Sequence, residues 1–207
     1  MLAIHLTVPV ACWRKAHARE LLETHEIPPP ATCYGALLSL VGESDRERHR
    51  GVRVTSGVIG LPERSTVVRT LWRVKSPLLP PGTGDNAKPD FQQLLTQCDV
   101  VIWLDGTDEL GPLRLEDRVV TAFDRSTEMT RFGGWSLGES THLINDAWLR
   151  RDATPPAECR TFVLDPAGVV TLPVWVDHVG TSATHYAVGS VQSLLAAPQR
   201  AQLPMIG

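Results

Sequence analysis

Residues 134–138, GWSLG, match the G-x-S-x-G pattern of the nucleophile elbow, a strained turn that presents a serine hydroxyl for acyl transfer. Such a serine needs a histidine as general base and a carboxylate that orients the histidine. In hydrolases with this elbow both partners follow the serine in the chain. Ser136 is followed by two carboxylates and two histidines that fit this order: Asp165, Asp177, His178 and His185. A serine hydrolase is therefore one interpretation of the chain.

The residues in front of Ser136 argue against this interpretation. An elbow needs a buried apolar strand directly before its serine. Residues 123–132 read FDRSTEMTRF, which is a polar and charged segment, and no His-Gly-Gly sequence of an oxyanion loop occurs upstream. Because G-x-S-x-G also arises by chance in glycine-rich loops, we keep the hydrolase only as a remote alternative.

The same glycine-rich loop, residues 131–138, suits a second chemistry, in which the backbone forms a cradle for phosphates or bases. Glycines let main-chain amides approach a ligand where a side chain would collide with it. The loop offers amides, a cation, an aromatic plane and a hydroxyl: Arg131, Gly133, Gly134, Trp135, Ser136 and Gly138. A plain turn with Trp135 packed in the core is the alternative.

Two further groups have the chemistry of single-stranded RNA binding, in which cations contact phosphates and aromatic planes stack on splayed bases. The first group follows the N-terminal strand and the second alternates along one face of a later strand. They are Trp13, Arg14, Lys15 and Arg19, and then Arg69, Arg73 and Lys75. Each phosphate contact adds roughly 0.7 to the salt dependence of binding, and each stacked base contributes about 1–3 kcal/mol. An ordinary solvated charge is the alternative for each basic residue.

Composition limits the remaining possibilities. The chain has 207 residues, of which 43% are hydrophobic and 21% charged, with a net charge of −3, so we expect a folded protein that binds nucleic acid only at a local groove. Cys12, Cys33, Cys98 and Cys159 are scattered without a C-x-x-C motif, which predicts reduced thiols in a cytoplasmic protein and no zinc site. We expect no metal and no cofactor. We also expect no membrane span, because no apolar run of about 18 residues occurs.

The apolar pattern predicts the elements that position these groups. Alternation from Leu2 to Val8 predicts a strand, and the spacing from Tyr34 to Val41 predicts a helix that ends at Gly42. Two strands are predicted over Val52–Ile59 and Thr66–Lys75. A short helix from Phe91 to Cys98 and an apolar strand, VVIWL, are predicted next. The order strand, helix, strand, strand, helix, strand is that of the ferredoxin-like domain, which RNA-recognition domains share.

The rest of the chain predicts a smaller β-rich extension of this α+β fold. Leu115, Val119 and Phe123 indicate one more helix, and a hairpin is predicted over residues 159–176 with its turn at Asp165–Gly168. We expect an RRM-like domain over residues 1–125, and the glycine-rich loop with the β-rich part over 126–207, packed as one unit. No RRM-type aromatic signature occurs on any strand, so we do not expect bases to stack on the sheet.

The N-terminal sequence resembles a known family. The stretches PVACWRKAHARE and PPPATCYGALLSLVGE are similar to the CRISPR-associated family-five subunit of type I effector complexes, and GGWSLG is similar to the glycine-rich loop of the RAMP superfamily to which that family belongs. The likeness is strongest to the MYXAN, or DevS-like, subtype. It covers about the first 45 residues and the glycine-rich loop.

The resemblance implies a non-catalytic protein that caps the 5′ end of the CRISPR RNA (crRNA) and binds its repeat-derived handle. The implied partners are a Cas7-type backbone subunit and a Cas8-type large subunit of Cascade, with target DNA contacted indirectly through the guide. It also implies a thumb, a β-hairpin that displaces a nucleotide near the handle–spacer junction and that would lie within residues 52–75. The same family serves antiviral defence or RNA-guided transposition, and the sequence does not distinguish between them.

Cleavage of the precursor crRNA is the second alternative, because one subtype of this family is an endoribonuclease. Those relatives use a tyrosine before the first helix and a Lys-His pair further on. This chain has His25 before PPPAT and no adjacent Lys-His. Four histidines keep general acid–base chemistry open: His5, His17, His25 and His49.

Overall fold

The protein is a mixed α and β structure built on a single sheet, as a computed structural model shows. The structure describes residues 1–18, 20–72, 75–128, 130–180 and 182–207. The strands are β1 Leu2–Ala11, β2 Leu21–Leu22, β3 Arg53–Ile59, β4 Glu63–Trp72, β5 Ala87–Asp105, β6 Asp146–Arg150, β7 Cys159–Leu164, β8 Val170–Trp175 and β9 His185–Leu194. The helices are α1 Pro30–Leu40 and α2 Leu115–Asp124.

The sheet has the strand order β6-β1-β5-β3-β7-β9-β8, with β2 and β4 paired to β5 outside this path. Every pairing is antiparallel except the two-residue pairing of β2 with β5. Alternate residues of β1, such as Ile4 and Leu6, enter the main core with Leu37 of α1 and Val119 of α2. This alternation confirms the strand predicted at the N-terminus. The helices predicted at α1 and α2 are also confirmed.

The prediction of a helix from Phe91 to Cys98 is wrong, because this segment is part of the 19-residue strand β5. The reason is an irregularity of the β5 backbone at Gln97, where the neighbouring strand also changes from β3 to β4. Gln97 has a φ of 57°, and the register shifts by one residue between Ile59↔Asp99 and Glu63↔Thr96. Such a bulge changes which face the following side chains occupy. Leu95 and Cys98, on either side of Gln97, therefore both face the core although they are three residues apart, which imitates helical spacing, whereas Phe91 is 49% exposed.

The hairpin predicted within residues 52–75 is not formed, and a different hairpin, which we label the thumb, lies next to it. Strands β3 and β4 do not pair with each other; both pair with β5, one after the other. The hairpin that extends past β3 consists of β4 and the first half of β5, and its connection spans residues 73–86. Lys75 lies beyond the end of β4, so it does not share a strand face with Arg69. Arg73 lies outside the described residues.

The C-terminal pairing also differs from the prediction. The strands β7 and β8 and the turn at Asp165–Gly168 are present, but β9 lies between the two strands and pairs with both. The predicted hairpin is therefore wrong as a pairing. Gly168 lies against the backbone of Gly189, where a Cβ on Gly168 would collide, and a Cβ on Gly189 would collide with the carbonyl of Val163 on β7. Gly168 therefore allows the turn after β7 to approach β9 closely, and Gly189 allows β9 to approach β7.

The sheet continues across the predicted division at residue 125. Strand β6 pairs with β1, and β7 pairs with β3, so both parts of the chain share one sheet. The division into 1–125 and 126–207 stays a prediction. All four cysteines are buried and unpaired. Neither α-helix of the described ranges has the length and apolar character needed to cross a membrane.

Candidate nucleic-acid interface

The end of β1 leads directly into the first predicted RNA-binding group. Trp13 is only 1% exposed; its indole N–H donates to the carbonyl of Leu137 at 3.2 Å, and its backbone N–H donates to Thr24 Oγ1 at 2.9 Å. A buried indole cannot stack on a base while it remains in the core, so the stacking role predicted for Trp13 is wrong. Its ring instead holds the glycine-rich loop against the end of β1.

Two cations of the first group lie on the surface next to this tryptophan. Arg14 is exposed, and its Nη2 donates to the carbonyl of Ala18 at 3.2 Å. Lys15 is half-buried, and its Nζ lies 3.6 Å from a carboxylate oxygen of Glu23. Arg19 lies outside the described residues. Among the basic residues of this group that the structure describes, Arg14 is therefore the one that an RNA phosphate can reach without displacing a carboxylate.

The first residues of the glycine-rich loop are hydrogen-bonded to helix α1. Phe132 N–H donates to the carbonyl of Ser39 at 3.0 Å, and Ser39 Oγ donates back to the carbonyl of Phe132 at 2.7 Å. The indole of Trp135 donates to the carbonyl of Ala36 at 3.1 Å and packs edge-on against Phe123. Trp135 is half-buried, so its packing serves the core, as the simpler alternative predicted. The residues before it are exposed: Arg131, Gly133 and Gly134.

Ser136 does not have the surroundings of an elbow nucleophile. It forms an isolated β-bridge with Leu143, and no strand precedes it directly within the described residues. Across the described ranges, no histidine nitrogen is hydrogen-bonded to its hydroxyl. Ser136 thus forms a bridge next to the half-buried Trp135 and not the turn of an elbow.

Gly138 brings the end of the loop against the end of β1. Its φ is +120°, and a Cβ added there would lie 3.0 Å from the carbonyl oxygen of Cys12 and 3.5 Å from the ring of Trp13. Both the positive φ and the close approach require glycine. The first predicted group and the glycine-rich loop, which are more than 100 residues apart in the chain, therefore meet at one place.

The thumb joins them through Glu139. Arg69 Nη1 on β4 lies 3.1 Å from Glu139 Oε2, and Gln92 Nε2 on β5 donates to Glu139 Oε1 at 2.7 Å. His142 supports this arrangement, because its Nδ1 accepts the backbone N–H groups of Cys12 and Glu139, each at 3.2 Å. Burial lowers the pKa of His142, which favours the neutral ring that can accept these bonds.

The sequence did not single out Glu139, Gln92 or His142. None belongs to a motif, and only the packing of the loop against β1 and the thumb gives them a shared role. The assembled surface, which we call the junction, comprises the loop after β1, the end of the glycine-rich loop and the thumb base: Arg14, Lys15, Gly138, Glu139 and Arg69. It combines exposed cations, glycine backbone and one carboxylate.

Comparison with known proteins identifies the family. No protein-family model matches the chain. The "CRISPR-associated protein Cas5" of Myxococcus xanthus (strain DK1622) is 58% identical over 207 residues, which is 100% of this chain and 97% of the relative.

Two solved structures have a similar fold. One, described as "CRISPR RNA-guided surveillance complex", has a TM-score of 0.62 and 11% identity over 97% of this chain and 95% of its own. Another, described as "Crystal structure of Cas protein", has a TM-score of 0.53 and 13% identity over 97% and 98%. The resemblance seen in the N-terminal sequence is confirmed over the full length, and the chain belongs to the Cas5 family of CRISPR-associated proteins.

Proposed function

We propose that this chain is a non-catalytic subunit of a type I CRISPR effector complex and that it binds the 5′ handle of the crRNA at the junction. The observation that carries the proposal is the meeting of three predicted RNA-binding elements at Gly138 and Glu139. Phosphates would contact Arg14, Lys15 and Arg69, and the exposed glycines would allow the backbone to approach. Family membership and the likeness to a surveillance-complex structure support the same conclusion.

We further propose a ferredoxin-like, RAMP-type core. The succession β1-α1-β3-β5-α2-β6 and the sheet order β6-β1-β5-β3 support this assignment. The hairpin of β4 and β5 projects from the middle of the chain, as a thumb would. Contacts with a Cas7-type backbone subunit and a Cas8-type large subunit remain part of the proposal.

The positions of three of the four candidate histidines favour RNA binding over RNA cleavage. His5 is hydrogen-bonded to Asp99, and His49 is 1% exposed and bonded to Glu109. His25 is half-buried, and burial followed by the charges of Lys15 and His17 lowers its pKa to about 4. A base with so low a pKa is a weak proton acceptor at neutral pH.

The test compares complexes assembled with repeat-derived RNA. We expect Arg14→Ala combined with Lys15→Ala to weaken RNA binding strongly and to reduce the salt dependence by roughly 0.7 for each phosphate that the two cations neutralise. Arg151→Ala is the matched control, because Arg151 is an exposed arginine whose Asp124 partner lies on α2. Ser136→Ala should leave the RNA intact and bound.

Two outcomes would contradict the proposal. Cleaved repeat RNA that disappears in a histidine variant would identify an endoribonuclease. A double variant that binds RNA as the unmodified protein does would place the handle elsewhere.

A further inference from the structure

A groove of about 810 Å³ lies beside the junction, between the N-terminal segment 14–32 and the strands β8 and β9. Its volume is within the range of about 300–1,000 Å³ that holds small organic ligands. Arg14 and His17 line it from the N-terminal side, and Pro173, Thr184 and Tyr186 line it from the C-terminal side. We call it the β8–β9 groove. Nothing in the C-terminal part of the sequence marked it as a binding site.

Tyr186 supplies an aromatic plane to this groove. It is opposite Pro173 in the β8–β9 ladder, so the two side chains are on the same face of the sheet. Its side chain is 48% exposed, whereas Trp13 is in the core. A partly exposed tyrosine ring can stack on a base, as a buried indole cannot. The ring predicted from the N-terminal sequence is therefore replaced by one from the C-terminal part of the chain.

Arg14 supplies a cation that no carboxylate neutralises. Four neighbouring basic side chains form ion pairs: Lys15 with Glu23, Arg64 and Arg160 with Glu26, and Arg69 with Glu139. Within the part of the chain that the structure describes, Arg14 has no such partner, and the bond that its guanidinium makes is to the carbonyl of Ala18. An arginine left free of acids at the edge of a groove is suited to a phosphate.

Two further polar side chains line the groove. His25 faces the same groove and has a pKa of about 4, so its neutral ring can exchange hydrogen bonds with a base edge at pH 7. Asp177 also lines the groove, but its Oδ1 accepts the backbone N–H groups of Val179 and Gly180. Its carboxylate thereby holds the loop before β9, and these bonds help to lower its pKa.

We infer that the β8–β9 groove binds one splayed nucleotide of the guide RNA, with its base stacked on Tyr186 and its phosphate on Arg14. A nucleotide needs a flat ring for the base, a cation for the phosphate and polar groups for the base edge, and the groove offers all three. The inference rests on the proposed function for the identity of the RNA. It adds a subsite formed by the C-terminal strands.

The experiment uses the assembled complex with repeat-derived RNA that carries a single 4-thiouridine at successive positions. Irradiation should cross-link one position to the segment that contains Tyr186, and mass spectrometry locates the attachment. Tyr186→Ala should abolish this cross-link and weaken RNA binding roughly 5- to 150-fold, the loss expected for one stacked base. Tyr186→Phe keeps the ring and should keep both the cross-link and the affinity.

Val188→Ala is the matched control, because Val188 lies two residues along β9, is 45% exposed and does not line the groove. It should bind and cross-link as the unmodified protein does. If RNA binds and depends on Arg14, but Tyr186→Ala keeps full affinity and no position cross-links to β8 or β9, the inference is wrong and the proposed function stands. If the unmodified complex does not retain repeat-derived RNA at all, both fail.

Discussion

Two arginine–glutamate pairs differ in their access to water, and this difference separates the proposed RNA-binding surface from the framework of the fold. Arg69 and Glu139 at the junction are 42% and 32% exposed. Arg118 of α2 and Glu43, which follows α1, are 13% and 8% exposed. An exposed pair stabilises a fold little and can exchange partners, whereas breaking a buried pair leaves an uncompensated charge.

The buried pair belongs to a wider network between the helices. Arg118 Nη1 donates to Glu43 Oε2 at 2.6 Å and to His49 Nε2 at 2.9 Å, and its Nη2 donates to the carbonyl of Val41 at 2.8 Å. His49 Nδ1 is 2.6 Å from Glu109 Oε2, and Glu109 accepts the N–H of Leu115 at the start of α2. The network fixes α1 and α2 relative to each other, and α1 carries the glycine-rich loop.

The largest effect is expected from Arg118→Ala. Its removal leaves Glu43 buried without its main counter-charge, so the free energy of unfolding should fall by about 3–5 kcal/mol. Urea denaturation measures the change. Arg151→Ala, which breaks an exposed pair with Asp124, should change the same quantity by less than about 1 kcal/mol. Similar losses of unfolding free energy in the two variants would show that the buried pair stabilises the fold no more than the exposed pair does.

Lowering the pH should weaken the same network and destabilise the fold. Burial would raise the pKa of Glu43, but bonds from Arg118 and the Asp45 backbone, with the charges of Arg118 and Arg48, lower it to about 2. The ordinary value is 4.5. A depressed folded-state pKa stabilises the fold above the unfolded value, and the stabilisation is lost as pH falls through the folded value. Unfolding measured from about pH 5 to about pH 2 should show this loss, and Glu43→Gln should flatten the profile.

Gly138→Ala should have an intermediate effect. The new methyl group would meet the Cys12 carbonyl in a backbone conformation unsuited to alanine, which we expect to cost about 1–3 kcal/mol and to weaken RNA binding. Gly134→Ala is the control in the same loop, because its methyl group would make an ordinary 3.5 Å contact with Leu143. Equal stability of the two variants would remove the argument that Gly138 joins the loop to β1.

The smallest change in stability is expected from Glu139→Gln. Its pair with Arg69 is exposed, so unfolding should change by less than about 1 kcal/mol. RNA binding should tighten, since Arg69 no longer has a carboxylate to leave before it meets a phosphate. Filter binding at several salt concentrations measures both the affinity and its salt dependence. Weaker RNA binding in this variant would show that Glu139 positions Arg69 rather than competes for it.

The spacing of apolar residues correctly predicted the strands and helices in which that spacing is regular. The alternation of β1 and the spacing of α1 and α2 report directly which side chains face the core. β5 was mistaken for a helix because Leu95 and Cys98, which lie on either side of the irregular residue Gln97, both face the core at a spacing of three residues. The pairing of β7 and β8 was wrong because a later strand, β9, separates them, and no local signal indicates an insertion of that kind.

The sequence by itself determined the family, most of the strands and helices, and the residue types of the proposed RNA-binding surface, because motifs, periodicity and charge are local properties. Only the tertiary structure decided which of those residues are exposed and free to contact a ligand. Trp13 is in the core, Arg69 is paired with Glu139, and Tyr186 lines the groove beside Arg14. Burial and pairing depend on contacts between segments that are far apart in the chain, and the spacing of residues within one segment does not encode them.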